Sequence, residues 1–340
     1  SLGSSWMSFK RTKYAYESLR QVRVQRRSRA AGFSWSSSVV LHASWWWVVS
    51  DGIKRLQFFS LPVYSFKDES IQVYKTTFSI FNRFHHMGNE MKYLDILGHK
   101  TWVSVADNDR NRLVLLHGGL SSSSDQMAIG KKLENNFCIC AFDRRGHGRT
   151  ADTPEPFHYE SMADETIAFL EAIGGASHLV GWSDGGNIGL IVAMRRPDLV
   201  KRLVVIGSNF HHEGVLGGTL TDEAEQMLTK DYADNSPDGP KHRAEVTDKC
   251  VKMWQTEPTI TIKELSKIQV PVLVLAGDDD MIKLSHTCTL YESILGAQLA
   301  VIPGASHLLP LEQSDKVANI VNEFLTQQLP VVTMMPSRRK

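Results

Sequence analysis

The chain has 340 residues, 42% apolar and 22% charged, a globular composition with room for one large domain or two small ones. Its net charge is +1, but residues 1–50 hold eight basic residues against the single acid Glu17, so the remainder is mildly acidic and a basic nucleic-acid-binding face on the folded body is excluded. No apolar run reaches the ~20 residues of a membrane-spanning helix, and Cys138, Cys140, Cys250 and Cys288 have neither metal spacing nor the density of a disulfide framework, as expected of unpaired thiols in a reducing compartment.

Residues 1–86 are rich in Arg and Ser, nearly free of acids before Asp51, and without a clear hydrophobic period. That composition fits an organelle transit peptide. The competing reading is translated sequence foreign to the folded protein. Either way a basic, disordered extension is expected over 1–86, a compact domain over 87–330 and a flexible tail over 331–340. From Met91 the pattern alternates between strand and helix. Tyr93 to Leu97 and Thr101 to Val105 read as two strands joined at Gly98-His99. Leu113 to Leu116 and Phe137 to Phe142 are short apolar strands, with Cys138 and Cys140 expected on opposite faces of the latter. Met162 to Ile173 has a helical period and stops at Gly174-Gly175. Leu179-Val180 is a strand, and Asn187 to Arg196 a helix closed by Pro197. Leu203 to Ile206, Val270 to Leu275 and Leu299 to Ile302 are further strands, and Val317 to Leu325 is the closing helix. Short apolar strands alternating with helices imply a mostly parallel sheet covered on both faces. The alternation breaks over 209–268, where Thr221-Asp222-Glu223 starts a helix and Thr261-x-x-Glu264 has the form of a capping box. A helical insertion there is expected to cover a pocket.

Gly181-Trp182-Ser183-Asp184-Gly185 lies between a strand and a helix. In that context G-x-S-x-G places a serine on a sharp turn with its hydroxyl clear of the sheet. A serine needs a base, usually a histidine oriented by a carboxylate. Two later strands end in Gly277-Asp278-Asp279-Asp280 and in Pro303-Gly304-Ala305-Ser306-His307. The C-terminal ends of parallel strands share one edge of the sheet, so Ser183, one of the three aspartates and His307 can converge there.

With these motifs in place the chain resembles the α/β-hydrolase family over about residues 91–328. Leu113-Val114-Leu115-Leu116-His117-Gly118-Gly119 is similar to the family's oxyanion loop. Asp143 to Thr150 is similar to its D-x-R-G-x-G-x-S element, with Thr150 for the usual serine. Gly277-x-x-Asp280 and Gly304 to His307 are similar to its acid and histidine loops. The elbow further resembles biphenyl-hydrolase-like and valacyclovir-hydrolase-like members. The resemblance implies the α/β-hydrolase fold: a mostly parallel central sheet flanked by helices, with a small helical cap at about 209–268. It selects Asp280 as the acid, leaving Asp278 and Asp279 as solvated turn residues, and implies Gly119 and Asp184 as oxyanion-hole donors. Trp182, Asn209 and His211 are candidate substrate-binding residues. The Asp184 side chain either faces the pocket, where it would favour a cationic substrate, or turns away and holds the following loop. His117 and His147 are expected to shape loops.

The activity implied is cofactor-independent hydrolysis of a small ester, thioester or amide through an acyl-enzyme. Carbon–carbon bond hydrolysis and perhydrolysis are alternatives on the same fold, and a non-catalytic ligand-binding or signalling protein is the alternative from another class. No metal and no cofactor is expected, because the chain has no metal-ligand spacing and no dinucleotide-type glycine loop. The expected partner is a small ester-like molecule. The expected location is the cytoplasm, or the mitochondrion if residues 1–86 are a transit peptide.

Overall fold

A computed structural model describes residues 89–337 without interruption, with side-chain surroundings from residue 91, and the backbone of four earlier strands. The chain divides into two compact units, Ser1–His85 and His86–Lys340. In the first unit Tyr14–Arg26 pairs antiparallel with Ser37–Val49, which also pairs with Gly52–Gln57 and Val63–Tyr64. The expected disordered extension therefore contains four strand segments; its other residues lie outside the described ones, as do the last three residues of the tail. Ser37–Val49 has the β-branched and aromatic content of a strand, Trp45-Trp46-Trp47 included. The sheet and the buried side chains of the second unit are built from Asn89 onward. A chain starting at Met87 is accordingly expected to fold with a thermal midpoint within a few degrees of the whole chain's. A calorimetric drop of many degrees would show that residues 1–86 belong to the second unit's core.

The second unit has eight strands: β1 (Asn89–Ile96), β2 (His99–Ala106), β3 (Arg112–Leu116), β4 (Cys138–Phe142), β5 (Ser177–Trp182), β6 (Val200–Ile206), β7 (Val272–Asp279) and β8 (Gln298–Ser306). Their order across the sheet is β8-β7-β6-β5-β3-β4-β2-β1. β3 to β8 run parallel, and β1 and β2 form an antiparallel hairpin whose second strand pairs antiparallel with β4. The helices are α1 (Ser123–Leu133), α2 (Tyr159–Ala172), α3 (Asp184–Arg195), α4 (Asp222–Asn235), α5 (Arg243–Trp254), α6 (Ile262–Leu265), α7 (Leu284–Ser293), α8 (Leu309–Glu312) and α9 (Ser314–Thr326).

Alternation along each strand splits the core into two layers. Val114, Leu116, Leu179 and Val205 pack with Phe169 and Leu170 of α2 and Ile188 and Ile191 of α3. Leu113, Leu115, Val180 and Val204 pack with Ile129 and Leu133 of α1 and Val317, Val321 and Phe324 of α9. Burying each such large apolar side chain contributes about 1.5–3 kcal/mol. Cys138 and Cys140 are buried in the first layer, on the same face and not on opposite ones, because residues i and i+2 of a strand point the same way.

α1 and α7 were not anticipated, since their apolar residues are too sparse to show a period. The signal for α1 lies at its start. Ser122 and Asp125 form a capping box, Ser122 Oγ accepting from Ser124 N and Asp125 Oδ2 from Ser122 N. Burial and the nearby Asp231 push the Asp125 carboxyl up to about 6. The folded state thus holds this proton more tightly than the unfolded chain, and stability falls as pH rises from about 4 through 6. Asp125→Asn keeps an acceptor for Ser122 N but has no charge to bury. It is expected to raise stability by on the order of 1–2 kcal/mol at pH 7.5, the gain vanishing below about pH 4. Denaturant melts at the two pH values check this; a gain that is the same at both would refute it.

The insertion between β6 and β7 carries α4, α5 and α6. Thr221 caps α4 by accepting from Ala224 N, and Thr261 and Glu264 form the expected capping box on α6. Side chains tie this segment to the core. Asp152 Oδ2 meets His242 Nε2 at 2.9 Å and Lys249 Nζ at 2.6 Å, and Ser122 Oγ donates to Asp231 Oδ2 at 2.7 Å.

Candidate active site

β5 ends at Trp182 and α3 begins at Asp184, leaving Ser183 alone on the turn with φ 54° and ψ −120°. A non-glycine residue in that region costs about 1–3 kcal/mol, which the surroundings must offset. Ser183 N donates to Ile206 O at 2.8 Å, and Ser183 O accepts from Gly186 N and Asn187 N at 2.9 and 3.1 Å. The turn brings α3 against β3: a Cβ on Gly185 would overlap the Leu116 carbonyl, and one on Gly181 the Gly185 carbonyl. That crowding is why small residues flank the serine by two on each side.

Asp280 directly follows β7 and His307 directly follows β8, so parallel pairing of neighbouring strands brings both loops to one edge. His307 Nδ1 lies 2.7 Å from Asp280 Oδ1, and His307 Nε2 lies 2.9 Å from Ser183 Oγ. A carboxylate on Nδ1 fixes the proton there and leaves Nε2 as the acceptor for the serine hydroxyl. Asp280 Oδ1 also accepts from Ile282 N at 3.0 Å, which sets the carboxylate's plane. Asp278 is exposed, as expected, and its Oδ1 also accepts from Gly304 N at 2.7 Å and Ala305 N at 3.3 Å, pinning the loop that presents the histidine. Asp279 is exposed and keeps β-register with Ser306.

The loop after β3 is held from beneath. Arg144 is buried, and its guanidinium donates to His117 O at 2.6 Å and Gly118 O at 2.9 Å. Arg144 N donates to His117 Nε2 at 3.1 Å, so the His117 proton sits on Nδ1, which donates to Gly118 O at 2.7 Å. Burial and the neighbouring Arg144 charge push His117 well below the usual histidine range, and His147 down to about 3. Both rings are neutral loop-shaping groups. Asp143 accepts from Ser123 N, Ser123 Oγ, Arg149 N and Arg149 Nη1, and Thr150 Oγ1 accepts from Trp102 N, so the threonine keeps a hydroxyl oxygen in use.

These features have counterparts elsewhere. A family model for the alpha/beta hydrolase fold matches residues 111–235, the stretch from β3 through the elbow to the end of α4. The chain is similar to serine hydrolase BPHL of Homo sapiens, 26% identical over 241 residues, covering 63% of this chain and 78% of that protein. It is also similar to the bifunctional esterase/perhydrolase DCH of Acinetobacter calcoaceticus, 26% identical over 255 residues, covering 63% of this chain and 91% of that protein. Among solved structures, a serine hydrolase involved in carbazole degradation, the CarC enzyme, superposes with a TM-score of 0.60 at 22% identity, over 71% of this chain and all of that one. The chain has the α/β-hydrolase fold and resembles BPHL-like members of that superfamily.

In this fold the Asp184 side chain is held by protein partners. Its carboxylate is buried, with Oδ1 accepting from Tyr159 Oη at 2.5 Å and Trp254 Nε1 at 3.0 Å, and Oδ2 from Trp254 Nε1 at 3.1 Å. Burial pushes the Asp184 carboxyl up, while Arg144, Tyr159 and Trp254 oppose that rise. The carboxylate thus links α3 to α2 and to α5 of the insertion, and we attach no cationic substrate to it. Trp182 is in the core beneath the site, with Nε1 donating to His307 O at 2.9 Å; it braces the histidine loop where a substrate contact was expected. Asn209 exchanges hydrogen bonds with Asn187 at 2.9 and 3.0 Å and is likewise structural. His211 is separate from the Ser183 relay. It lines an open cleft of ≈ 380 Å³ with Phe210, Glu213, Lys283 and His286. Gly119 does lie beside the site: a Cβ there would strike Trp254 and Asp184 Oδ2.

Tyr159, Asn187 and Trp254 were missed from sequence. Nothing local marks them, since each acquires its role from a partner at least 22 residues away. Among the described residues, Asp152, His242 and Glu245 bring possible metal-ligand atoms within 4.8 Å of one another. Lys249 Nζ already lies 2.6 Å from Asp152 Oδ2, and an ammonium on that carboxylate opposes a dication.

Proposed function

We propose that this chain is a cofactor-independent serine hydrolase that cleaves a small ester, thioester or amide through an acyl-enzyme. The observation that carries the reading is the relay of Ser183 Oγ, His307 and Asp280 at 2.9 and 2.7 Å. Ser183 Oγ attacks the substrate carbonyl while His307 Nε2 takes its proton. Asp280 orients the ring and stabilises the imidazolium. The oxyanion that forms is met by the main-chain N–H groups of Asp184 and Gly119; each such donor is worth about 3–4 kcal/mol in the transition state. His307 then protonates the leaving group and activates water to release the acid. The helical insertion serves as the cap, and Trp254 closes it over Gly119 and Asp184. The names of similar proteins support an esterase-type reaction. The substrate is a small molecule, and the four unpaired cysteines fit a reducing compartment such as the cytosol. Among the described residues no helix is long and apolar enough to cross a membrane.

A fluorophosphonate probe is expected to label Ser183, and p-nitrophenyl esters of increasing chain length to be hydrolysed with a length optimum. An unlabelled, inactive protein would favour the non-catalytic alternative. The esterase/perhydrolase relative favours perhydrolysis as a second reading, in which peroxide replaces water as the acyl acceptor and a peracid is released. Added hydrogen peroxide would then divert the acyl-enzyme from acid to peracid.

A further inference from the structure

We infer that Arg144 and His117 are positioning residues that aim the Gly118–Gly119 peptide, so that its N–H points at the developing oxyanion. The inference rests on the hydrolase reading above and concerns how its oxyanion hole is held open.

A peptide unit is planar and trans, so its carbonyl oxygen and its N–H lie on opposite sides. The oxygen of this unit is Gly118 O and the N–H is that of Gly119. Gly118 O accepts from Arg144 Nη2 at 2.9 Å and His117 Nδ1 at 2.7 Å, with Ser121 Oγ at 3.4 Å. With the oxygen fixed beneath the loop by buried donors, the Gly119 N–H is turned to the opposite side; Ser183 is close to this peptide, since a Cβ on Gly118 would stand 3.5 Å from Ser183 Cβ. The second arm of the Arg144 fork, on His117 O at 2.6 Å, holds the preceding peptide as well. The next residue, Leu120, has φ 54°, which a loop adopts only when its surroundings impose it.

The donors also matter electrically. A charged donor on the carbonyl oxygen polarises the whole amide and strengthens its N–H as a donor. Arg144 sits where no water competes, and its charge is balanced by the Asp184 carboxylate, whose own main-chain N–H is the other donor of the hole. A pre-aimed donor needs no reorganisation when the oxyanion appears, which is how such holes act on the transition state more than on the bound substrate.

The two nitrogens of His117 separate aiming from mere stability. His117→Gln can still accept from Arg144 N but loses the donor to Gly118 O. His117→Asn keeps a donor at the Nδ1 position and leaves Arg144 N unpaired. An alkylboronic acid reports the hole: boron accepts the Ser183 oxygen, the serine proton passes to His307, and a boron hydroxyl takes the oxyanion position. His117→Gln is expected to weaken boronic acid binding and to lower kcat, both by about tenfold to a hundredfold, with KM within about twofold of the wild type. His117→Asn recovers most of both while melting at the lower temperature. Arg144→Lys, which keeps the charge and loses the fork, is expected to follow His117→Gln and serves if that variant does not fold; Ser121→Ala, at the longest contact, gives the smallest loss. A structural role alone would rank the variants by melting temperature and leave boronic acid affinity untouched in every folded variant, and that result overturns the inference. If the wild type takes neither the boronic acid nor a fluorophosphonate, the hydrolase reading falls and this inference with it.

Discussion

Ser183→Ala and His307→Ala are each expected to lower kcat by about a million-fold, and the double variant to be no worse than either single one. The reason is geometric. His307 Nε2 is useful only because Ser183 Oγ lies 2.9 Å away, and a serine hydroxyl is useful only with a base at that distance. Once one partner is gone the other has no proton to exchange, so the losses do not add. What remains is catalysis by the oxyanion hole and by substrate positioning. Ser183→Ala also removes no apolar contact and leaves the strained backbone at φ 54° in place, so its melting temperature should match the wild type. Steady-state rates on a p-nitrophenyl ester and a thermal melt check both statements. A Ser183→Ala variant with most of its activity left would mean that another group is the nucleophile.

Much of this site was legible because its motifs are local. The strand, the G-x-S-x-G turn and the helix form one continuous segment, and its crowding dictates the glycines wherever it occurs. The capping box at Thr261 and the helix start at Thr221 are likewise written within four residues, whereas the equally local box at Ser122 was passed over. The three aspartates after β7 show the limit of local reading. Spacing places all of them at the right edge, and only resemblance to a family singled out Asp280. The added role of exposed Asp278 in holding the histidine loop was not foreseen, because its partners are backbone N–H groups 26 and 27 residues away, which no sequence pattern announces. Trp182 was a candidate to touch substrate, but alternation along β5 turns its side chain into the core. Tyr159 and Trp254 reach Asp184 from 25 and 70 residues away, and only the packed structure joins them.

Asp280→Asn is expected to lower kcat by about a hundredfold to ten-thousand-fold while Asp278→Asn stays near wild type. Two N–H donors, from His307 Nδ1 and Ile282, converge on Asp280 Oδ1. An asparagine oxygen can stay in that place, but the amide nitrogen must then occupy the position of Oδ2, which is buried and has no hydrogen-bond partner among the described residues. Turning the amide over instead sets N–H against both donors and drives His307 to the tautomer that cannot accept from Ser183. In the first arrangement the imidazolium loses the charge that stabilises it; in the second the ring also loses its orientation, and the loss approaches the upper bound. Asp278→Asn meets neither problem, because its oxygen can go on accepting from Gly304 N and Ala305 N. Asp278→Ala deletes that acceptor, so it should loosen the histidine loop and lower the melting temperature with a smaller loss of kcat than Asp280→Asn. Rates for the three variants, with Asp279→Asn as a fourth, decide the matter: a steep loss at Asp279 with none at Asp280 would show that the relay runs through a different carboxylate.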